Sequence, residues 1–383
     1  MKTRKLLRLY FATSILSDPL FLGPVLLIAL LKLAHMSITE VFLSEAVATA
    51  IILMFDAPSG MIADSFGRKR CVVVGKFLFL GSTICIACMT SPIHGYVANI
   101  LWAFSVVLIS GAESALVYDE LKKRNALGEY QKLVKDVQSY SFLLVAFTTV
   151  ITGFVAEINL RLPLILSIPG VCIATVLACY LPRDVPSKSH RAHTFESYKH
   201  HMYEAVQEVM RSSRLKVLFV WLAIFAVMGK LYFFIYNPYL ELVQVPYSHI
   251  GIIFSLINIA SFLTAKYAFW FKERINHVGL WIGFVIQGVT MFLQAYFVQY
   301  ISGWFFISQG IARGYVNTVA TPLLNEEIES QKRATVLSFH SSLMSLLQVG
   351  LFLVMAPFSG DIPLFLCILG GVTLVMSFLS RKV

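Results

Sequence analysis

Asp18, Glu113, Lys230 and Arg313 each stand inside a long apolar run, and Glu45 is a fifth residue of the same kind. An ionisable group near the centre of a bilayer costs about 3 kcal/mol or more, so such residues point to function by default. A carboxylate that takes up a proton in competition with substrate is what a proton-coupled carrier requires. Asp18 is the first candidate for that role, because it lies near the middle of its run; Glu113 and Glu45 follow. Lys230 and Arg313 suit a polar cavity that receives a substrate, and Asn237, Gln309, Asn317 and Gln287 can add hydrogen bonds. The competing reading is that these charges only neutralise one another and hold helices together.

Other chemistry finds little support. Cys85 and Cys88 have the C-x-x-C spacing used by metal and redox sites, but no second pair or nearby His completes one, so they read as small helix-packing residues. His190, His193, His200 and His201 lie in one hydrophilic stretch without a carboxylate or Cys cluster, and read as part of a solvated basic linker. There is no nucleophile–base pair, no ligand set with metal spacing and no Gly-rich phosphate loop. The expectation is a protein that is not an enzyme and takes no metal or cofactor.

The elements that must position these charges are membrane helices. Of the 383 residues 57% are hydrophobic and 14% charged, against about 45–50% and 25% in soluble domains. The surplus apolar surface must face lipid. A span needs about 20 mostly apolar residues. That rule yields twelve: 7–31, 39–60, 71–90, 95–118, 137–157, 162–181, 215–240, 247–270, 279–299, 302–324, 334–357 and 362–380. The first run is too long for a signal peptide, contains Asp18 and Pro19, and offers no clear cleavage site.

Charge placement orients the chain. With the N-terminus inside, the inner segments hold Lys2, Arg4, Lys5 and Arg8, then Arg68, Lys69 and Arg70, then Lys122, Lys123, Arg124, Lys132 and Lys135. They also hold the 183–216 linker, Lys272, Arg274, Lys332, Arg333, Arg381 and Lys382, whereas the outer connections hold only Lys32 and Arg161. This is the positive-inside pattern, and it puts both termini in the cytoplasm. The net charge of +10 is therefore topological and does not point to nucleic acid. The chain divides into a six-helix bundle at 1–181, a linker at 182–214 and a second six-helix bundle at 215–383. Within the linker, Tyr198, Met202, Val206, Val209 and Met210 recur at helical spacing, which suggests an amphipathic helix on the membrane surface.

The loop between spans two and three reads Gly60-Met-Ile-Ala-Asp64-Ser-Phe-Gly67-Arg68-Lys69-Arg70. It resembles the G-x-x-x-D-(R/K)-x-G-(R/K)-x-(R/K) signature of the major facilitator superfamily, with Ser65 in place of the usual base. The preceding Asp56-Ala-Pro58-Ser-Gly60 also looks like the lead-in of bacterial members. The resemblance implies the facilitator fold, in which Arg68 would pair with the acid closing helix four, here Asp119, to form a conformational latch with Gly60, Asp64, Gly67 and Arg70. It also implies that spans 1, 4, 7 and 10, which carry Asp18, Glu113, Lys230 and Arg313, line the central cavity.

The stretch from Ser110 to Asp119 looks like the end of helix four in drug:proton antiporters of the superfamily, and Arg333-Ala-Thr335 looks like the start of their helix eleven. Span five carries only Gly153 where those antiporters have a Gly-rich, Gly-Pro signature, and the second-half loop, 271–277, is degenerate. The expected function is proton-coupled efflux of small organic or amphipathic compounds by alternating access, from a monomer in a bacterial inner membrane. The alternative within transport is uptake or exchange of an organic anion bound by Lys230 and Arg313. A membrane sensor or enzyme is the reading from another class.

Overall fold

The computed structural model describes residues 3–17, 20–182, 203–204, 206–275, 279–328 and 333–379, all in helices or their short connections. The N-terminal helices are α1 (Thr3–Ser17), α2 (Leu26–Lys32), α3 (Ile38–Phe66), α4 (Arg68–Ala87), α5 (Pro92–Lys123), α6 (Gly128–Ile158) and α7 (Leu162–Cys179). The C-terminal helices are α8 (Ser213–Leu242), α9 (Tyr247–Ile275), α10 (Gly279–Tyr296), α11 (Ile307–Glu326), α12 (Arg333–Met355) and α13 (Ile362–Leu379). Eight of the described helices are long and apolar enough to cross a membrane, and α10 and α13 hold shorter apolar stretches.

Local chemistry sets several boundaries. At the start of α3, Ser37 Oγ accepts from Glu40 N at 3.2 Å while Glu40 Oε2 accepts from Ser37 N at 2.8 Å, a reciprocal cap. Pro92 opens α5, where its missing N–H costs nothing. Gly67 separates α3 from α4 with φ 96° and ψ 131°, a conformation only glycine adopts freely. The carbonyls at the end of α4 are met by Arg161, whose Nη1 donates to Ala87 O at 2.9 Å and whose Nη2 donates to Met89 O at 3.0 Å.

The first expected span departs from a continuous helix. Residues 20–25 form turns between α1 and α2, and Gly23 and Pro24 supply the reason, since proline lacks the donor a helix interior needs. Backbone groups released by such a break must find partners inside a membrane protein. Phe21 N donates to Ser167 Oγ on α7 at 3.3 Å, and Thr152 Oγ1 on α6 donates to Phe21 O at 3.4 Å. The tenth expected span opens in a 3-10 helix, Tyr300–Phe306, before α11. Helix α6 begins earlier than the apolar run suggested, so Lys132 and Lys135 are helical.

The chain forms two compact units, Met1–His193 and Thr194–Val383. In the first, α3 and α4 pack on α5, α4 on α7, and α1 on α6 and α7. In the second, α9 and α10 pack on α11, α10 on α13, and α8 on α12 and α13. Counting α1 and α2 together, the pairings are the same in order, as an internal structural repeat produces. Of the expected amphipathic helix only part is described, and it falls within the second unit. Residues 206–211 are helical, with Val209 buried against Leu215, Phe219, Leu324 and Val336, while Val206 and Met210 are exposed. Tyr198 and Met202 and the four linker histidines lie outside the described residues.

Candidate functional site

Within the first unit the charge chemistry centres on a residue that the motif search passed over. Lys76 sits on α4, only 3% exposed, and its Nζ lies 3.3 Å from Glu113 Oε1 and 3.4 Å from Oε2 on α5. The same ammonium donates to Ser17 Oγ on α1 at 2.6 Å, and Ser17 Oγ in turn donates a hydrogen bond to Thr13 O. Glu113 Oε1 is within ion-pair range yet takes no hydrogen bond of good geometry, so the pair leaves acceptor capacity unused. Thr175 on α7 donates to the Lys76 backbone carbonyl at 3.3 Å. One cation thus joins α1, α4 and α5. Asp18, next in sequence to Ser17, lies outside the described residues. Glu45 is 8% exposed on α3 and accepts from Asn99 Nδ2 at 3.1 Å, while the same amide donates to Ser44 Oγ at 2.6 Å.

The second unit holds a polar stripe on α11. Gln309, Arg313 and Asn317 recur at four-residue spacing and so share one face. Gly310 and Gly314 set that helix against α9: a Cβ at these positions would stand 2.2 Å from Ile257 O and 2.3 Å from Ser261 O. This is close packing of the G-x-x-x-G kind. It carries the Arg313 guanidinium to α9, where Nη2 donates to Ser261 Oγ at 3.3 Å and Asn258 Oδ1 at 3.4 Å. Gln309 Nε2 donates to Gly229 O on α8 at 3.0 Å, and Asn317 is exposed. Lys230 on α8 donates to Gln348 Oε1 on α12 at 3.3 Å and lies 5.5 Å from the Phe352 ring centroid. Asn237 and Gln287 are buried, and their side-chain oxygens accept nothing from the described residues.

At the loop after α3, Arg68 Nη1 meets Asp119 Oδ2 at the end of α5, with side chains 26% and 50% exposed. Arg70 is exposed. Gly60 and Asp64 fall on α3, and the side chain of Asp64 lies outside the described residues, as do those of Arg333 and Thr335 on α12. Cys85 donates from Sγ to His94 O at 3.3 Å, and the six cysteines are free thiols.

Lys76 was legible in principle: it is a lone lysine inside the apolar run 71–90. It lies on the third span, outside the set 1, 4, 7 and 10 that the resemblance points to. Glu113 therefore has a cation beside it within its own unit. The neutral residues Asn99, Asn258, Ser261 and Gln348 were equally invisible, since only the packing brings them to the charges.

Two helical units with matching internal pairings, apolar membrane-length helices and charged side chains held among them define an integral membrane protein of internally repeated helices. The chain belongs to the Major Facilitator Superfamily, whose sequence pattern it matches over residues 7–351. Membership makes it a transporter rather than an enzyme. A search of curated protein sequences found no significant match. Among solved structures, nucleoside transporter NupG superposes with a TM-score of 0.74 at 14% identity, over 99% of this chain and 98% of that one. The POT family transporter PepTSo gives 0.73 at 11% identity over 100% and 98%. A peptide transporter POT in complex with sulfate gives 0.71 at 13% identity over 99% and 94%. At these identities the likeness is one of fold.

Proposed function

We propose that this chain is a secondary active transporter that couples proton movement to the efflux of small organic or amphipathic compounds by alternating access. The observation that carries the coupling is the Lys76–Glu113 pair, with Nζ 3.3 Å from Oε1 inside apolar helices. Protonating Glu113 removes the charge that holds Lys76, and with it one tie among α1, α4 and α5. A proton can thereby change how the first unit packs, and a bistable packing is the kind of element a gradient can drive. Asp18, one residue beyond the Ser17 that Lys76 contacts, remains the first candidate for the group that loads the proton, with Glu113 and Glu45 next. Lys230, Arg313, Asn237, Gln309 and Asn317 are the candidates for receiving the solute.

The rest of this reading has the following support. Twelve spans in two six-helix bundles, with α1 and α2 counted as one broken span, follow from the hydropathy pattern and agree with the matched helix pairings in the two units. Cytoplasmic termini follow from the one-sided basic residues. The bundle boundaries remain 1–181 and 215–383, with 182–214 as the linker. The Arg68–Asp119 contact supports a latch at the cytoplasmic face involving Gly60, Asp64, Gly67 and Arg70. Efflux, a bacterial inner membrane and a monomer rest on the resemblance of the loop after span two and the end of helix four to drug:proton antiporters. A test is substrate-driven proton movement in vesicles containing the wild type or Asp18→Asn. The account expects coupling to vanish in the variant while solute binding persists. Full coupling in Asp18→Asn removes Asp18 from the role.

A further inference from the structure

We infer that Arg313, oriented by Asn258 and Ser261, is an oxyanion-binding site in the second unit, and that the transported solute carries a carboxylate or phosphate there. The inference rests on the transport reading above and names its substrate class.

A guanidinium that served only structure within a membrane would call for a nearby carboxylate, because a charge that meets acyl chains without compensation is costly. Among the described residues no carboxylate reaches ion-pair distance of Arg313, and its hydrogen bonds run to two neutral oxygens at 3.3 and 3.4 Å. Both come from Nη2. The Nε and Nη1 donors have no partner among the described residues. Neutral acceptors on Nη2 orient the planar group without cancelling its charge, which leaves that charge and the Nε and Nη1 donors for charge-assisted contact with an oxyanion.

The surroundings agree. The side chain is accessible, and an accessible arginine among apolar helices belongs beside water rather than acyl chains. An apolar groove lined by Phe271, Ile282, Ile286, Ile311 and Tyr315 occupies another side of the same helix. Ile311 and Arg313 are two residues apart, about 200° around the helix axis, so the charge points away from that groove. Gln309 and Asn317, one turn to either side, extend the polar face. The approach of α9 at Gly310 and Gly314 is so tight that the position of Arg313 relative to Ser261 is set by backbone, not by a flexible neighbour.

The test uses purified full-length protein and four probes that share one ring: benzoate, phenyl phosphate, benzyl alcohol and benzylamine. Binding is read by titration calorimetry. Benzoate or phenyl phosphate is expected to bind at least about tenfold more tightly than benzylamine, and Arg313→Ala to lose that preference, as removal of charge-assisted hydrogen bonds implies. Arg313→Lys keeps the charge but not the planar group held by Asn258 and Ser261, and is expected to fall between them; it also decides the matter if the alanine variant does not fold. Equal anion affinity in wild type and Arg313→Lys or Arg313→Ala overturns the inference, as does a preference for benzylamine or the lack of saturable anion binding. Nanodiscs containing phosphatidylglycerol provide the last arm: Arg313-dependent displacement of both anions by this lipid would give the site to a headgroup and overturn the solute assignment. Proton-linked transport of benzyl alcohol or benzylamine, and of neither anion, by the wild type would leave the transport reading standing while this inference fails.

Discussion

Lys76 Nζ stands 3.3 Å from Glu113 Oε1 and 2.6 Å from Ser17 Oγ, so a single ammonium ties α4 to both α5 and α1. The side chains are 4% and 13% exposed, and such a pair gains little over an apolar replacement yet costs much when halved. Such a pair is therefore weak evidence for static stability, and the role proposed for it is a charge that changes during a cycle.

That asymmetry gives the first prediction. Lys76→Met and Glu113→Gln each leave a buried group without its partner and should each destabilise the protein by about 3–5 kcal/mol. The double variant should recover most of the loss. Thermal unfolding of the purified variants checks this; strictly additive losses would mean that the two residues are not coupled.

A second prediction concerns Gly67, whose φ of 96° at the α3–α4 junction is closed to other residues without strain. Gly67→Ala should cost about 1–3 kcal/mol and disturb the neighbouring Arg68. An unchanged unfolding temperature would show that the turn adapts.

Packing of α9 on α11 supplies a third. Gly310→Ala forces a Cβ to within 2.2 Å of Ile257 O, and the helices must part to admit it. A loss of about 1–3 kcal/mol or more is expected, together with weakened contact between Arg313 and α9. Gly350→Ala on α12 is the control, because no atom outside its own helix turn lies within 4 Å of the added carbon. Equal stability of the two variants would contradict the close-approach argument.

The Arg68–Asp119 contact should behave differently from the buried pair. With side chains 26% and 50% exposed, its static contribution is about 0–1 kcal/mol. The proposed latch role requires instead that it bias one conformation over another. Arg68→Ala should barely move the unfolding temperature but should alter the rate at which engineered cysteines on the cytoplasmic side react with a membrane-impermeant thiol reagent. Unchanged reactivity would reduce the contact to a surface ion pair.

Much of the helix pattern was legible because membrane helices announce themselves through length and hydropathy, and because Gly67, Pro92 and Ser37 mark helix ends by local chemistry. The break at 20–25 was also written in Gly23 and Pro24, but a hydropathy window averages across such a break. The partners of the charges were not legible. Lys76 and Glu113 are separated by 37 residues and Arg313 and Asn258 by 55, and no periodicity along the chain states which face of α4 meets α5. The candidate site therefore depended on packing for its neutral and cationic members, even where its ionisable residues stood out in the sequence.

The most direct test of proton-coupled transport is to seal the purified protein into liposomes loaded with a pH-sensitive dye and add a panel of organic anions, cations and neutral amphiphiles. The account predicts that at least one solute moves protons across the membrane, that an imposed pH gradient drives its accumulation, and that Asp18→Asn or Glu113→Gln uncouples the two fluxes. Solute transport that proceeds at the same rate and to the same extent at every pH gradient, with no dye response, would contradict it.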